Sequence, residues 1–428
     1  MTVLQAGIGR KTISPPRGVY LIGYGARLWG NRGIHDDLTA TALAFDDGNT
    51  RAIIVACDLL AINEHTVARV QAASGENNLQ ICCSHTHSAP VVYAYRHSTR
   101  KNRHYVDFLV TQLAAAIRAA VANLQPATLA WAEGEADIAV NRRERKPDGS
   151  IVTGVNPTGS VDRALSILQV KAKTGELLAT MVNFACHNTV FRPDNRLASA
   201  DWAGAMRRHV EAKTAAPCLY IQGATADLNP ERSRGLDDAE AVQVLGKRVA
   251  DQVLASLQGM REISAAAIHF QATQIWLPLE TKATTPQPPS TYKQKLAKLF
   301  SVPPFLVDLI LNTRYPWKTI IESRNGVWAI PMQTTALRIG EFALYGLGME
   351  VFHEIGLKIK ATAPTTHTMI GGVCNGCVGY LPTAEEHARG GYEIDIVPYF
   401  YRLPGRFSAE VESITLTAIQ KQGKLLNS

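Results

Sequence analysis

The chain has 428 residues, of which 46% are hydrophobic and 19% charged, and its formal net charge is +7. These values are typical of a globular protein with a large core, and they exclude the collagenous and disordered classes. Seven thinly spread cysteines indicate reduced thiols. Because the basic residues are scattered, we expect no nucleic-acid partner. The first residues lack a signal-peptide pattern and no window has the roughly 18 apolar residues of a membrane span, so we expect a cytoplasmic protein.

The apolar pattern predicts alternating strands and helices. Residues 40–45 and 52–59 are predicted strands, and the second is nearly continuous in apolar residues, as in a strand buried on both faces. Apolar side chains at three- and four-residue spacing predict an amphipathic helix over residues 105–124. Further strands are predicted at 166–170, 178–185, 219–222, 268–275 and 334–347, and further helices at 203–213 and 239–257. The sequence therefore predicts an α/β fold with mixed sheets flanked by helices.

We predict one domain over residues 1–428, with an insertion at residues 282–328. The insertion starts with a proline-rich run and continues as a basic amphipathic stretch that Pro303 and Pro304 interrupt. A lid at the substrate entrance and a plain packed helix pair are both compatible with this pattern, and contact with a membrane surface is left open. The glycine-rich residues 21–27 predict a loop over the site, because no helix pattern of a nucleotide-binding motif follows them.

Several predicted strands end in residues that bind metals. His85 and His87 follow an apolar run, and the strand period would place both imidazoles on one side of the chain. His187 ends the strand that starts at residue 178, and Glu350 follows the strand that ends near residue 347. Two histidines and a carboxylate that leave one position open are the ligand set of a catalytic zinc. We therefore predict a metal site that contains His85, His187 and Glu350.

Seven short blocks together resemble a known family. They are AGIG at residues 6–9, GIHDD at 33–37, SHTHS at 84–88, NFACH at 183–187, ADLNP at 226–230, GMEVF at 348–352 and GYLPT at 379–383. Their order is similar to that in the neutral, non-lysosomal ceramidases, a family of zinc-dependent amide hydrolases, over residues 6 to about 418. The resemblance implies a catalytic domain of two sheets flanked by helices (α/β/β/α), here without the family's C-terminal accessory domain.

The resemblance also implies roles for individual residues. Zinc (Zn²⁺) would be bound by His85, His187, Glu350 and Tyr380. His87 would contact the reacting carbonyl or the attacking oxygen, and Arg142 would lie near the reaction centre. One position differs, because Asn229 stands where the ceramidases have a serine that is proposed to be essential. An amide side chain cannot become an alkoxide nucleophile, so a serine mechanism at this position is excluded.

Water activated by the metal is an alternative nucleophile. We interpret His87 or Asp227 as general base or acid, and Arg142 and Asn229 as donors to the substrate or oxyanion. Asp201 is interpreted as a second candidate base or as a partner that orients a metal ligand. Structural roles are open for three residues: Asp227 could cap the turn that follows it, Asp201 could cap the helix that follows it, and Tyr380 could be a packed aromatic with a hydrogen-bonded hydroxyl.

Three functions are compatible with the sequence. The first is a zinc-dependent hydrolase that cleaves an amide bond, N-acyl or lactam-like, in a small molecule. The second is an esterase or lactonase, or an enzyme for a sugar-linked substrate, on the same metal site. The third is a non-catalytic metal-binding homologue. The sequence predicts no oligomeric state.

Overall fold

The computed structural model describes residues 3–25, 27, 29–90, 92, 99–232, 235–265, 267–314 and 319–425, with only the backbone at residues 313 and 314. Residue 26 of the predicted loop and residues 315–318 of the predicted insertion lie outside the described residues. The described chain forms layers of helices and sheets, and the active-site candidates lie where several strands end.

The strands and helices have the following bounds. The strands are β1 (Gln5–Thr12), β2 (Gly33–Ile34), β3 (Thr39–Asp46), β4 (Arg51–Cys57), β5 (Leu79–Cys83), β6 (Gln125–Glu135), β7 (Ala139–Arg145), β8 (Ile151–Asn156), β9 (Ala164–Ala172), β10 (Leu177–Phe184), β11 (Leu197–Ala198), β12 (Cys218–Gln222), β13 (Leu228–Pro230), β14 (Arg261–Ile263), β15 (Ile268–Glu280), β16 (Glu322–Arg324), β17 (Val327–Ile339), β18 (Phe342–Leu347), β19 (Glu350–Val351), β20 (His367–Gly371), β21 (Tyr380–Leu381) and β22 (Arg406–Phe407). The α-helices are α1 (Glu64–Ser74), α2 (Arg100–Ala122), α3 (Asp201–Thr214), α4 (Asp238–Ser256), α5 (Tyr292–Phe300), α6 (Val307–Arg314), α7 (His353–Thr362), α8 (Ala384–Arg389) and α9 (Val411–Leu425).

Two large sheets organise these elements. The nine-stranded sheet has the order β12-β10-β9-β6-β1-β3-β4-β5, with β14 paired to β6, and its pairs β10/β12 and β4/β5 are parallel. The six-stranded sheet has the order β20-β18-β17-β15-β22, with β16 paired to β17, and its pair β18/β20 is parallel. One core cluster contains Phe45 and Ile54 of the first sheet with Leu337 and Phe342 of the second, so the two sheets pack face to face.

Helices cover the outer faces of both sheets. The helix α2 packs against β1 and β3, where its buried side chains Leu109, Leu113 and Ile117 belong to a core cluster. Each of these side chains contributes about 1.5–3 kcal/mol on burial. Gly9 lets β1 approach this helix, because a Cβ at this position would lie 2.3 Å from the carbonyl oxygen of Ala116. The mixed α/β layers that the sequence predicts are confirmed.

The helix α2 differs from the expectation that no segment is apolar enough to span a membrane. By length and composition it could cross a membrane. Half of its most apolar stretch is buried inside the protein. The apolar stripe therefore serves the core between the helix and the sheet.

One predicted strand is wrong. Residues 334–347 form the end of β17 and all of β18, which pair antiparallel in the register Ile339 to Phe342. Gly340 makes the turn between them with a φ of +59°, in the left-handed region that favours glycine. Apolar residues continue through both strands, so the pattern alone hides the turn. The other predicted strands and helices match observed elements, with ends that differ by a few residues.

Candidate active site

His85 and His87 converge, but the reason predicted from the strand period is wrong. The strand β5 ends at Cys83, and His85 follows it with a φ of +58°, a left-handed conformation that is unusual for a side chain of this size. The two ring centroids are 5.0 Å apart. A turn therefore brings the imidazoles together, and the His87 amide of this turn donates to the Asn188 carbonyl at 3.1 Å, beside His187.

The centre of the site is one carboxylate between two imidazoles. Oε2 of Glu350 lies 3.2 Å from Nε2 of His85 and 3.2 Å from Nε2 of His187. On the far side of each ring Nδ1 faces a backbone carbonyl, Leu60 at 2.7 Å for His85 and Thr225 at 2.8 Å for His187. A carbonyl oxygen can only accept a hydrogen bond, so each Nδ1 must carry a proton. When the ring is neutral, its Nε2 therefore presents a lone pair.

This arrangement fits a metal ion. Two Nε2 lone pairs and a carboxylate oxygen cannot hydrogen-bond one another without an added proton, whereas all three can bind one cation. His85, His87 and His187 place ligand nitrogens within 4.8 Å of one another. Nε2 of His85 and both ring nitrogens of His87 are buried and lack a well-oriented hydrogen-bond partner among the described residues. A carbonyl that holds Nδ1 is the usual orienting partner of a histidine that binds metal.

Burial and neighbouring charges favour the metal-binding protonation states. Burial, together with the nearby His85, holds the pKa of His87 well below its ordinary value. Burial and the Arg142 guanidinium lower the pKa of His187. Burial alone would raise the pKa of Glu350, but the two histidines outweigh it and hold this pKa well below its ordinary value. His87 is therefore neutral and Glu350 is ionised near pH 7.

Tyr380 and Arg142 lie beside this centre. In the parallel pair β19/β21, Tyr380 is directly opposite Glu350. Arg142 on β7 donates from Nη2 to the Tyr380 hydroxyl at 3.2 Å and from Nη1 to Nε2 of His187 at 3.4 Å. Burial and the Glu350 charge raise the pKa of Tyr380 well above its ordinary value, so the phenol is neutral in this state of the site.

Asn229 also contacts Arg142. Its Oδ1 accepts from Nη1 of Arg142 at 3.4 Å, and it lies on β13, which pairs with β7. The amide nitrogen of Asn229 makes no hydrogen bond to the described residues. Asn229 thus lines the site as a polar side chain that has one free pair of donors.

Asp227 and Asp201 hold segments of the backbone. Both carboxylate oxygens of Asp227 contact His353, Oδ1 accepting from its backbone N–H at 2.9 Å and Oδ2 contacting Nδ1 at 2.6 Å. Asp201 accepts from the backbone N–H groups of Val190 and Phe191, at 3.2 and 3.0 Å, near His187. Neither contact is the cap that the sequence suggests, because Asp227 holds His353 at the start of α7 and not the turn that follows it, and α3 begins at Asp201 itself with Ala200 as its N-cap.

Two residues of the site were missed by sequence reasoning. Glu393, in a π-helical turn (Tyr392–Ile396), accepts from Nε of Arg142 at 2.9 Å and from Nη1 of Arg143 at 2.6 Å. His353 joins Asp227 to the Ser160 hydroxyl, 2.9 Å from its Nε2. Neither lies in a recognisable motif, and the contacts span more than a hundred residues of sequence, so only the fold shows them.

A cleft of about 770 Å³ opens beside the histidines. His87, Arg142, Asn229 and Tyr380 lie at one end, and the loop over the site contributes Gly23, Tyr24 and Gly25, as the sequence predicts. A Cβ at Gly23 would lie 2.7 Å from the side chain of His87, so this loop packs directly against the site. The walls are mixed, with Leu236, Leu299 and Phe400 as apolar members and Arg192, Glu231 and Asp238 as charged members.

Comparison with known proteins identifies the family. The family model described as neutral/alkaline non-lysosomal ceramidase, N-terminal, matches residues 4–224, which is more than half of the chain. The chain belongs to this ceramidase family. It is 23% identical to the neutral ceramidase of Pseudomonas aeruginosa over 476 aligned positions, which cover 90% of this chain and 68% of that protein.

Solved ceramidase structures share the fold. A structure titled as ceramidase complexed with C2 matches with a TM-score of 0.75 and 19% identity, covering all of this chain and 76% of that chain. The crystal structure of neutral ceramidase from P. aeruginosa matches with a TM-score of 0.75 and 20% identity, covering all of this chain and 75% of that chain. The ceramidase fold implied by the sequence blocks is confirmed.

Proposed function

We propose that this ceramidase homologue is a zinc-dependent hydrolase that cleaves the amide bond of an N-acyl small molecule, with water as the nucleophile. His85, His187, Glu350 and Tyr380 would hold the ion. The observation that carries the proposal is the position of two Nε2 atoms, each 3.2 Å from one oxygen of Glu350, while each Nδ1 faces a carbonyl. A bound Zn²⁺ would polarise a carbonyl and lower the pKa of a coordinated water to about 7.

His87 is the side chain best placed to move a proton. It lines the cleft, its ring is 5.0 Å from that of His85 and 5.7 Å from that of His187, and its lowered pKa leaves it neutral at pH 7. A neutral imidazole whose nitrogens have no other partner can accept the proton of the attacking water and return it to the leaving amine. Asp227 is the weaker candidate, because both of its oxygens already contact His353.

Arg142 and Asn229 would stabilise charge that develops on the substrate oxygen. Burial would lower the pKa of Arg142, but the Tyr380 hydroxyl and the carboxylates of Glu393 and Glu350 outweigh it and raise this pKa, so the guanidinium stays charged. Its Nη1 and the Asn229 amide lie together at the same end of the cleft. Hydrogen-bond donors held in place before the reaction are the usual way to stabilise an oxyanion.

The cleft supports a substrate with two unlike ends. An acyl chain would lie against Leu236, Leu299 and Phe400, and a polar headgroup would lie near Arg192, Glu231 and Asp238. The membership of the ceramidase family supports an amide as the bond that is cleaved. The charged wall supports a headgroup that is more polar than an unmodified sphingoid base.

The test combines metal analysis with an activity screen. Protein purified without added metal should contain about one zinc per chain, and His187→Ala should lose both the zinc and the hydrolysis of N-acyl substrates. His65→Ala, an exposed histidine on α1, is the matched control and should keep both. Substrates would include ceramide, N-acyl amino acids and the corresponding esters. A His187→Ala protein that hydrolyses amides at the wild-type rate would refute the proposal.

A further inference from the structure

The insertion predicted at residues 282–328, here called the docking segment, carries most of the net positive charge of the chain because it has few acidic residues. It contains seven lysines and arginines but only two acidic residues, Asp308 and Glu322. Its net charge of +5 compares with +7 for all 428 residues, so the rest of the chain is close to neutral. A charge concentrated in one segment points to an anionic partner.

The same segment exposes large apolar side chains. Phe305 is 77% exposed, Leu309 58% and Ile320 56%, and together with Leu299 and Val327 they make up five of the fourteen exposed large apolar side chains among the described residues. Phe305 is the most exposed of all fourteen. Folding gains nothing from an exposed phenylalanine, so several exposed apolar side chains on one basic segment indicate an interaction surface.

Each helix of the docking segment buries some of its apolar side chains in the protein core and exposes the others. The helix α5 buries Leu296 and Phe300 and exposes Lys298 and Leu299. The helix α6 buries Val307 and Leu311, and the Pro304–Leu306 turn between the two helices exposes Phe305. Cationic and apolar side chains are therefore both exposed along this segment. This combination is typical of segments that lie in the interface of a membrane.

Not all the lysines of the segment are neutralised within the chain. Lys293 pairs with Asp308 at 2.6 Å, and Lys295 lies over the Tyr399 ring. Lys282 and Lys298 form no ion pair with any residue in the described part of the chain. Their charge remains available to an external anion.

The docking segment also lies at the catalytic cleft. Leu299 of α5 lines the cleft together with Phe400, and the adjacent Phe300 packs on Phe400 with ring centroids 5.4 Å apart. Gly25, in the loop over the site, packs against Phe300, where a Cβ would lie 2.4 Å from its ring. A surface that captures this segment would therefore lie next to the opening through which a substrate reaches His87.

We propose that the docking segment binds the surface of a bilayer that contains anionic phospholipids. Phe305 and Leu309 insert among the acyl chains near the headgroups, while Lys282 and Lys298 contact lipid phosphates. The apolar wall of the cleft then opens toward the lipid phase, from which an N-acyl lipid can enter. The binding itself does not depend on hydrolysis, so it can be tested independently of the proposed function.

The test is sedimentation of the full chain with vesicles. Wild-type protein should bind vesicles of phosphatidylcholine with phosphatidylglycerol more tightly than vesicles of phosphatidylcholine alone, and the difference should shrink in high salt. Phe305→Ser should weaken the binding at least tenfold, and Lys298→Gln should weaken it about fivefold on the anionic vesicles only. Leu357→Ser on α7, whose side chain is 41% exposed, is the matched apolar control and should bind as the wild type does.

Three outcomes would overturn the proposal. The first is equal binding of the wild type to the neutral and the anionic vesicles. The second is equal binding of the wild type and Phe305→Ser to the anionic vesicles. The third is a wild-type oligomer, seen by analytical ultracentrifugation, that Phe305→Ser dissociates while vesicle binding is unchanged, because that result would assign Phe305 to contact with a second copy of the chain. A Phe305→Trp variant gives an independent readout, because its emission should shift to the blue on the anionic vesicles.

Discussion

Glu393→Gln tests whether the site depends on a buried network of charges. Glu393 has a side-chain exposure of 2% and bridges Arg142 and Arg143, whose side chains are 6% and 3% exposed. Removing one partner of a buried ion pair costs about 3–5 kcal/mol, because an uncompensated charge remains buried. Arg143 keeps Glu386 and the Gly390 carbonyl, and Arg142 keeps the nearby charge of Glu350. We therefore expect a loss of about 3 kcal/mol, at the lower end of this range.

Urea unfolding measures this loss. The midpoint should fall while the slope with denaturant stays constant, as expected for a change in stability alone. Glu322→Gln is the matched control, because its ion pair with Arg324 at 2.9 Å is half exposed and should contribute about 0.5 kcal/mol or less. Hydrolysis should fall further than the zinc content does, since Arg142 loses the contact that orients its Nε. A Glu393→Gln protein as stable as the control variant would refute the reasoning.

Three further predictions concern the same centre. Asp227 outweighs burial and raises the pKa of His353, so the charged imidazole stabilises the fold below its ordinary pKa of 6.5, and this stability is lost as pH rises through the higher folded value. The unfolding free energy of the wild type should thus decline above pH 6.5 relative to His353→Gln, and parallel pH curves would contradict this. Tyr380→Phe should lower kcat by about tenfold or more while most of the zinc stays bound, because only one ligand is removed; unchanged kcat would exclude a role for the hydroxyl. Asn229→Ser should not raise the rate of ceramide cleavage, since the proposed nucleophile is water, and a gain in rate with covalent labelling of the new serine would contradict that mechanism.

The sequence predicts the layers of this fold well because the buried strands and helices carry strong periodic patterns. The strand over residues 52–59 and the helix over residues 105–124 are examples, and both match observed elements, β4 and α2. The pattern fails at Gly340, where two apolar strands follow each other across a two-residue turn. Periodicity reports burial, and a tight turn between two buried strands leaves little trace in it.

The residues of the site also include some that the sequence could predict and some that it could not. His85, His187 and Glu350 follow apolar strands, so their positions could be predicted from the places where those strands end, and the structure brings them together. Glu393 and His353 could not be predicted, because they contact the site through pairings such as Arg142 to Glu393 that no local pattern encodes. Residues that orient a ligand through another side chain have no spacing rule of their own.

The imidazoles of His85 and His87 converge as predicted, but the cause is the backbone conformation at His85 and not the period of a strand. In an extended chain His85 and His87 would share a side, but the φ of +58° at His85 turns the chain immediately after β5. This turn directs Nδ1 of His85 to the Leu60 carbonyl and leaves Nε2 facing Glu350. A conformation of this kind costs about 1–3 kcal/mol for a residue other than glycine, and it persists only where the surroundings impose it.

His85→Gly and His85→Asn separate the strain from the ligand. Glycine adopts this φ without strain, and asparagine tolerates it better than most residues do. We expect His85→Gly to keep or raise the unfolding free energy of the metal-free protein while it loses zinc and hydrolysis. His85→Asn should likewise fold but bind zinc weakly. If His85→Gly instead destabilised the metal-free protein by several kcal/mol, the turn would be held by the imidazole contacts and not stored as strain at a metal ligand.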